Sequence, residues 1–159
     1  VSDVVQMLEA AKCNEVKLMT AYMSRFGDIF QQGCHALRSG AIGDMTFVYA
    51  NFSYPALKSY PLGTRGSWRW TDPVGGGPLL DIGIYLAFGL RELLDQSIYT
   101  TNARALSTVA PEGAAVADTN MAWFMTDEGI PGVFAATFSH QECCITVYGT
   151  KGRLVLNDC

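Results

Sequence analysis

Asp81 and Tyr85 are the two residues of this sequence whose types and spacing could move protons. They lie four positions apart in a segment that otherwise has the pattern of an apolar helix from Leu79 onward. Residues four apart on a helix share a face, so a carboxylate could orient or tune a phenol one turn away. We therefore predict that both side chains face one site, where Gly83 between them admits a close neighbour.

A purely structural explanation stays open from these residues alone. A phenol titrates near about 10 in water and needs a nearby cation to act at neutral pH, but this helix contains no lysine. Asp81 could instead cap the helix, and Tyr85 could be a core aromatic whose hydroxyl is satisfied. The preceding glycines, residues 75–77, predict a loop at the lip of a site.

Composition narrows the classes of function. The 159 residues are 49% hydrophobic and 16% charged, with a net charge of −4 and no basic cluster. This balance argues against nucleic acid or an anionic membrane surface as a partner. Five cysteines without CxxC spacing indicate a reducing compartment. The single helical histidine, His35, has no second ligand at metal-binding spacing. No apolar run is long enough to span a bilayer. We expect a cytoplasmic protein with no metal site.

The first half of the chain predicts helices and strands in alternation. A helix begins at the capping residue Ser2 and ends near Cys13, and residues 16–23 predict a buried strand. Asp28 is predicted to cap a second helix that ends before Ser39. The inward positions of the two helices are expected to be Val4, Val5, Leu8 and Ala11, and Ile29, Phe30, Cys34 and Leu37.

A strand over residues 45–54 is followed by a long loop over residues 55–67, and loops of this length are usually binding segments. The helix after the glycines is expected to bury Leu80, Ile84, Ala87, Phe88 and Leu90.

The second half predicts an antiparallel sheet. Five strand-like runs are separated by short turns, which favour antiparallel neighbours. A helical first half followed by such strands predicts an α+β domain, with an open, predominantly antiparallel sheet and helices on one face. Apolar residues on the other face predict a homo-oligomer. The runs are residues 98–109, 117–126, 132–140, 143–148 and 153–156.

Several motifs in order resemble the C-terminal domain of the Gfo/Idh/MocA oxidoreductases. They are VKLMTAYMSRF, SGAIGDM, WRWTDPVGGGPLLDIGIY, RELLD and TVYGTKGRLVLND. The resemblance implies a fold like the glyceraldehyde-3-phosphate dehydrogenase C-terminal domain, which carries the substrate and usually pairs two subunits. It also implies NAD or NADP, bound mainly by an N-terminal Rossmann domain whose glycine fingerprint and catalytic Glu-Lys-Pro motif are missing here.

The resemblance divides the chain and assigns an activity. Residues 1–23 are expected to be the end of the Rossmann domain. Residues 24–159 are expected to be the substrate and dimerisation domain, truncated at its C-terminus. The full-length parent is expected to be an NAD(P)-dependent dehydrogenase that transfers hydride from a sugar, polyol or dihydrodiol, while this part alone would be inactive. The alternative is a non-enzymatic relative that senses a ligand or binds a protein.

The resemblance also implies roles for individual residues. Tyr85, helped by the missing lysine, would take the hydroxyl proton, and Asp81 would orient substrate hydroxyls. Trp68 and Arg69 match a substrate-lining Trp-Arg pair, which could stack on a sugar ring and donate paired hydrogen bonds.

Two more residues fall where the family chain crosses between its domains. Arg25 is expected to contact the substrate, although a surface ion pair is an equal alternative. Tyr22 is expected to contact the cofactor.

Overall fold

The computed structural model describes residues 2–157 as an α+β domain, which confirms the predicted fold class. A 3₁₀ turn at Met23–Phe26 precedes the second helix, and a π-helical turn at Leu79–Gly83 leads into the last one. The helices are α1 Ser2–Cys13, α2 Asp28–Arg38, α3 Ala56–Ser59, α4 Trp68–Thr71 and α5 Ile84–Leu94. The strands are β1 Met45–Ser53, β2 Ile98–Leu106, β3 Thr119–Thr126, β4 Pro131–Thr137, β5 Glu142–Gly149 and β6 Gly152–Asn157.

The six strands form one open sheet in the order β2-β3-β4-β1-β5-β6. All neighbours are antiparallel except β1 and β4, which run parallel. The expectation that the short link between β4 and β5 makes them neighbours is wrong, because β1 lies between them. A central position suits β1, whose Val48 and Ala50 are fully buried.

Helices α2 and α5 cover one face of the sheet and form the main core with it. Leu90 of α5 is buried as predicted, but the buried face differs from the prediction elsewhere, because Leu86 points inward while Ile84 and the preceding Leu80 are exposed. A π-helical turn closes its hydrogen bonds one residue later than an α-helix, so it rotates the following residues relative to a uniform 3.6-residue period. The core includes Phe30, Cys34, Val48, Ala50, Leu86, Leu90, Leu93, Phe124, Phe134, Ile145, Val147 and Leu156.

Helix α2 begins one residue earlier than predicted, because Asp28, the predicted capping residue, is already helical. Asp28 is its first helical residue, and the capping position belongs to Gly27, whose missing side chain supplies no hydrogen bond. Phe30 and Cys34 are buried as predicted, whereas Ile29 is exposed. Asp28 still lies in the first turn, where a carboxylate interacts favourably with the helix dipole.

Residues 2–21 contribute no buried side chain to the domain. Helix α1 has the predicted bounds, but the expectation that it buries Val4, Val5, Leu8 and Ala11 is wrong, because it has no buried residue. The strand predicted at residues 16–23 is also absent from the described chain. A strand needs a neighbour to pair its backbone groups, and all six strands of the described sheet lie elsewhere.

The described residues exclude Val1, Asp158 and Cys159, and Cys159 is one of the five cysteines. Within residues 2–157, no helix combines the length and apolar character needed to cross a bilayer.

Candidate active site

A cavity of about 420 Å³ opens between the end of β1, helix α4 and the start of α5. It contains both residues that the sequence singled out, Asp81 and Tyr85. Two larger concave regions of about 560 and 580 Å³ lie at the end of α5 and beside β2 and β3, and neither contains this pair. The lining of the smaller cavity is Ser24, Phe52, Tyr54, Tyr60, Arg69, Asp81, Ile82, Tyr85 and Gln141.

The π-helical turn presents Asp81 to the cavity. Its backbone N–H donates to the carbonyl of Gly77 at 3.2 Å, and the side-chain oxygen of Asn120 accepts from the N–H of Leu79, also at 3.2 Å. Gly83 packs against Ala136 of β4, where an added Cβ would lie 3.3 Å from the alanine methyl group. Such π turns are frequent at functional sites, and here the turn lies where Asp81 enters the cavity wall.

The carboxylate of Asp81 is held by two donors. Arg69 Nε donates to Asp81 Oδ2 at 2.7 Å, and the Tyr54 hydroxyl donates to the same oxygen at 2.6 Å. The side chains of Arg69 and Asp81 are only 17% and 12% exposed, so the ion pair is poorly screened by solvent. The side chain of Asp81 therefore binds Arg69 and Tyr54 and does not cap the helix.

The contacts among Tyr54, Arg69 and Asp81 shift the pKa values of Tyr54 and Arg69. Burial raises the pKa of Tyr54, and its hydrogen bond to the Asp81 carboxylate raises that pKa further. Burial alone would lower the pKa of Arg69, but the hydrogen bond to Asp81, the Asp81 charge and the contact with Tyr54 together outweigh burial and raise it. Tyr54 therefore stays a neutral donor and Arg69 a cation at physiological pH.

Aromatic rings hold the guanidinium group of Arg69. Its central carbon lies 3.9 Å from the centre of the Tyr60 ring and 4.4 Å from that of Trp68. Trp68 is thus behind Arg69 and is absent from the cavity lining. The buried Trp70 anchors this arrangement, because its indole N–H donates to the Tyr60 carbonyl at 3.0 Å.

The glycine loop fixes the backbone around Arg69. The N–H of Gly77 donates to the Arg69 carbonyl at 2.8 Å, and Gly77 has a φ of +84°, which a residue with a side chain rarely adopts. A Cβ at Gly76 would lie 2.9 Å from the carbonyl oxygen of Arg69. The loop therefore shapes the site without lining the cavity, since none of the three glycines belongs to the lining.

Tyr85 lies at the rim of the cavity and is 41% exposed. The edge of its ring meets Phe52 at a centroid distance of 5.8 Å, and its ring is 5.7 Å from that of Tyr22. Its side chain makes no hydrogen bond to another residue in the range 2–157, so the hydroxyl is available to a ligand. The alternative of a buried core tyrosine does not describe this side chain.

Tyr22 and Arg25 are placed differently from the other predicted site residues. Tyr22 is only 8% exposed and donates its hydroxyl proton to the backbone carbonyl of Tyr85. Arg25 forms a 2.9 Å ion pair with Glu92 and lies over the ring of Phe88, outside the cavity lining. A cofactor contact for Tyr22 and a substrate contact for Arg25 stay predictions.

Sequence reasoning missed six residues of the lining, one of which is Ile82. Tyr54 and Tyr60 lie in or beside the loop predicted to bind, and their polar aromatic side chains were the available signal. Gln141 belongs to a short turn between strands, and nothing in its local sequence distinguishes it from an ordinary surface residue. Ser24 and Phe52 complete the set.

Comparison with known families gives this geometry a context. Residues 30–155 match the GFO/IDH/MocA C-terminal domain. The chain belongs to the GFO/IDH/MocA family. The predicted resemblance is thereby confirmed for most of the chain.

Relatives of this GFO/IDH/MocA domain are dehydrogenases by name. It is 28% identical over 152 residues to the D-xylose 1-dehydrogenase [NADP(+)] of Haloarcula marismortui, covering 94% of this chain and 41% of the relative. It is 34% identical over 84 residues to the trans-1,2-dihydrobenzene-1,2-diol dehydrogenase of Xenopus laevis, covering 53% of this chain and 23% of the relative.

A solved structure shares the fold. The aldose-aldose oxidoreductase of Caulobacter crescentus superposes with a TM-score of 0.83 at 24% identity, covering 98% of this chain and 45% of that one. The GFO/IDH/MocA domain described here therefore spans less than half the length of these relatives.

Proposed function

We propose that this chain is the substrate-binding and dimerisation domain of a nicotinamide-dependent oxidoreductase. The reaction would be hydride transfer from a hydroxyl-bearing carbon of a sugar, polyol or dihydrodiol. The observation that carries the proposal is the position of Asp81 and Tyr85 on the wall of one cavity. The names of the relatives, a D-xylose and a dihydrobenzenediol dehydrogenase, support the substrate classes.

The roles of the two residues follow from their surroundings. Tyr85 accepts the hydroxyl proton of the substrate as hydride leaves the adjacent carbon, which becomes a carbonyl carbon. Asp81 is already bound through Oδ2, so its Oδ1 is the atom that accepts a substrate hydroxyl. Arg69, held from behind by the Trp68 ring, forms the wall against which the substrate ring would lie.

A phenol needs a neighbouring cation to accept a proton at neutral pH. Among the described residues that line the cavity, none is lysine. We expect the cation to come from a lysine of a nucleotide-binding domain, as the family resemblance implies. In its absence we expect this chain alone to be inactive.

A nicotinamide has a planar, partly apolar ring, which an exposed apolar side chain could contact. Met23, next in the chain to the lining residue Ser24, is such a side chain. When bound, NAD or NADP supplies the hydride acceptor. We expect Met23 and, as the family resemblance implies, Tyr22 to contact that cofactor.

The division of the chain into two parts is also part of the proposal. Residues 1–23 would belong to a nucleotide-binding domain and residues 24–159 to the substrate domain. The exposed apolar side chains of α1, including Val4 and Leu8, support this division, because such a helix needs a partner surface.

The sheet face opposite the helices would pair with a second copy of the chain. On this face, Phe47 of β1 lies opposite Tyr148 of β5, and Trp123 of β3 lies opposite Val133 of β4. Phe47, Tyr148 and Trp123 are exposed although they form an apolar surface, and Val155 extends it on β6. A second copy offers the same largely aromatic surface, which also carries Arg153 opposite Tyr148, so the two faces would bury their aromatic side chains against each other.

A ligand-sensing relative without turnover is the second candidate. Ligand binding needs no proton acceptor, so the hydrogen-bonded cluster of Asp81, Arg69 and Tyr54 would be enough for it. A screen of the full-length protein against sugars, polyols and diols with NAD and NADP separates the two. We expect cofactor reduction with at least one substrate, whereas ligand binding without reduction would support the sensor.

A further inference from the structure

The link between β4 and β5 brings one side chain, that of Gln141, to the cavity. Among the described residues that line the cavity, Gln141 alone comes from the second half of the chain, and the others lie between residues 24 and 85. Its exposed amide makes no hydrogen bond to any other residue in the range 2–157. A primary amide offers two N–H donors and one carbonyl acceptor. Gln141 therefore brings unused donors to the cavity wall.

The sheet register brings Gln141 beside Tyr54. The last paired residues of β1 and β5 are Ser53 and Glu142, and one further step along both strands leads to Tyr54 and Gln141. Side chains opposite each other in an antiparallel pair lie on the same face, and both of these line the cavity. Because the Tyr54 hydroxyl donates to Asp81 Oδ2, Gln141 lies next to the cluster that holds Asp81.

The backbone on either side of Gln141 is fixed. Phe138 is only 1% exposed, its N–H donates to the carbonyl of Asp118 at 2.8 Å, and its carbonyl accepts from the N–H of Ala56 at 3.2 Å. Glu142, directly after Gln141, already belongs to β5 and pairs with β1. The link over residues 139–141 is thus anchored at both ends, and a side chain on an anchored backbone is positioned more precisely than one on a free loop.

The side chains before and after Gln141 are bound to each other on the opposite face of the sheet. The Asn51 amide donates to Glu142 Oε2, and His140 Nε2 lies 3.4 Å from the same oxygen. Asn51 is only 4% exposed, and its carbonyl oxygen accepts from the Ser53 hydroxyl at 2.7 Å, so its N–H₂ end is the one turned to Glu142. Since successive side chains of a strand point to opposite faces, holding Glu142 on one face directs Gln141 into the cavity on the other.

The proposed reaction needs hydrogen-bond donors in the cavity. Asp81 Oδ1 and the Tyr85 hydroxyl are assigned to accept from substrate hydroxyls, whose own lone pairs then need N–H or O–H groups. We propose that Gln141 is a substrate-binding residue, whose amide donates to a substrate hydroxyl, and that Glu142 is its positioning residue. This inference rests on the proposed function, whereas the anchoring of the link does not depend on it.

The test pairs variants of the full-length protein with ligands that lack single hydroxyls. Steady-state kinetics with NAD and NADP, and ligand-observed NMR titrations, would use D-xylose, D-glucose and trans-1,2-cyclohexanediol, each with its monodeoxy analogues. Gln141→Met removes the amide at nearly constant length. Gln32→Met, at an exposed position of α2 outside the cavity lining, is the control. Thermal unfolding and sedimentation would establish that each variant folds and self-associates as the unaltered protein does.

Gln141→Met should raise the KM and the dissociation constant of a substrate about three- to tenfold, while kcat changes less than about twofold. A hydrogen bond that is kept from the ground state to the transition state contributes uniform binding, which changes KM and spares kcat. For one deoxy analogue the unaltered protein should lose the same factor, and Gln141→Met should lose nothing further, as expected for the two partners of one hydrogen bond. Gln32→Met should change neither constant.

Glu142 is tested through its dependence on Gln141. Glu142→Ala removes the acceptor of Asn51 and should raise KM about as much as Gln141→Met does. Glu142→Gln keeps a carbonyl oxygen that can accept from Asn51, so it should restore most of the KM. The double variant Gln141→Met/Glu142→Ala should bind no more weakly than Gln141→Met alone, because no amide is left to position.

Each contrary result has a separate meaning. An unchanged KM in Gln141→Met, with turnover retained, overturns the role of Gln141 and leaves the proposed function standing. Additive losses in the double variant overturn the positioning role of Glu142. Binding that weakens in Gln141→Met without turnover of any substrate overturns the proposed function alone. Binding of none of the three ligands by the unaltered protein overturns both.

Discussion

The hydroxyl of Tyr22 donates a 2.8 Å hydrogen bond to the backbone carbonyl of Tyr85. The Tyr22 ring also packs on Phe88 at a centroid distance of 4.1 Å. Its hydroxyl occupies the space beside Gly89, where an added Cβ would lie only 2.8 Å away. The residues before α2 are thereby tied to the first turn of α5, directly beneath the tyrosine at the cavity rim.

Replacing Tyr22 by Phe should therefore loosen this connection. The ring contacts remain, but the hydrogen bond is lost, which should cost about 0.5–1.5 kcal/mol of unfolding free energy. Denaturant unfolding measures this loss. Tyr99→Phe, on an exposed strand position, is the matched control and should change stability little. Weaker cofactor binding with unchanged stability would instead support the predicted cofactor contact of Tyr22.

Asp118 is a buried carboxylate that fixes the loop between β2 and β3. Its Oδ2 accepts hydrogen bonds from the N–H groups of Thr108, Val109 and Ala110 at 2.6–2.7 Å. Burial alone would raise the pKa of Asp118, but the hydrogen bonds from Thr119 and from the loop outweigh burial and lower it below 3.8. The folded state therefore favours the ionised form.

Asp118→Asn should destabilise the protein by about 2–4 kcal/mol at neutral pH, because an amide cannot accept as many of these bonds. A lowered folded-state pKa contributes stability that is present at higher pH and is lost as the pH falls below the ordinary value of 3.8. The difference between variant and unaltered protein should therefore shrink below about pH 4. Urea unfolding at several pH values checks this, and a pH-independent difference would contradict it.

Trp123→Asp tests the proposed pairing of sheet faces. Trp123 is 46% exposed in the middle of the apolar face, and a buried charge there should weaken self-association by about tenfold or more. Sedimentation analysis measures the effect. Val74→Asp, in an exposed loop, is the control for an added charge. Self-association that is unchanged in both variants would show that this face is not the interface.

Local sequence signals predicted the strands well. The alternation of apolar residues in β1 and β3 and the Gly-containing turns beside β5 and β6 depend on neighbours in the chain, so their bounds were nearly correct. Residues 16–23 were misassigned because an apolar run shows that a segment needs burial but does not show what buries it. Only the sheet topology reveals that no strand is available to it within the described domain.

The site was predictable in part for a similar reason. Asp81 and Tyr85 are four residues apart, so helical geometry alone places them near each other. Tyr54 lies 27 residues from Asp81 in the chain, and their hydrogen bond depends on how the π-helical turn meets the end of β1. Arg25 forms its ion pair with Glu92, which lies 67 positions later in the chain, so no local sequence pattern could predict this contact.

The most direct test of the account is the turnover of Tyr85→Phe in the full-length protein. The substitution keeps the ring that contacts Phe52 and Tyr22 but removes the one group assigned to accept the substrate proton. We predict that kcat falls by about 10²-fold or more, while the dissociation constant for NAD or NADP changes little. An unchanged kcat would contradict the assignment of Tyr85 as the proton acceptor.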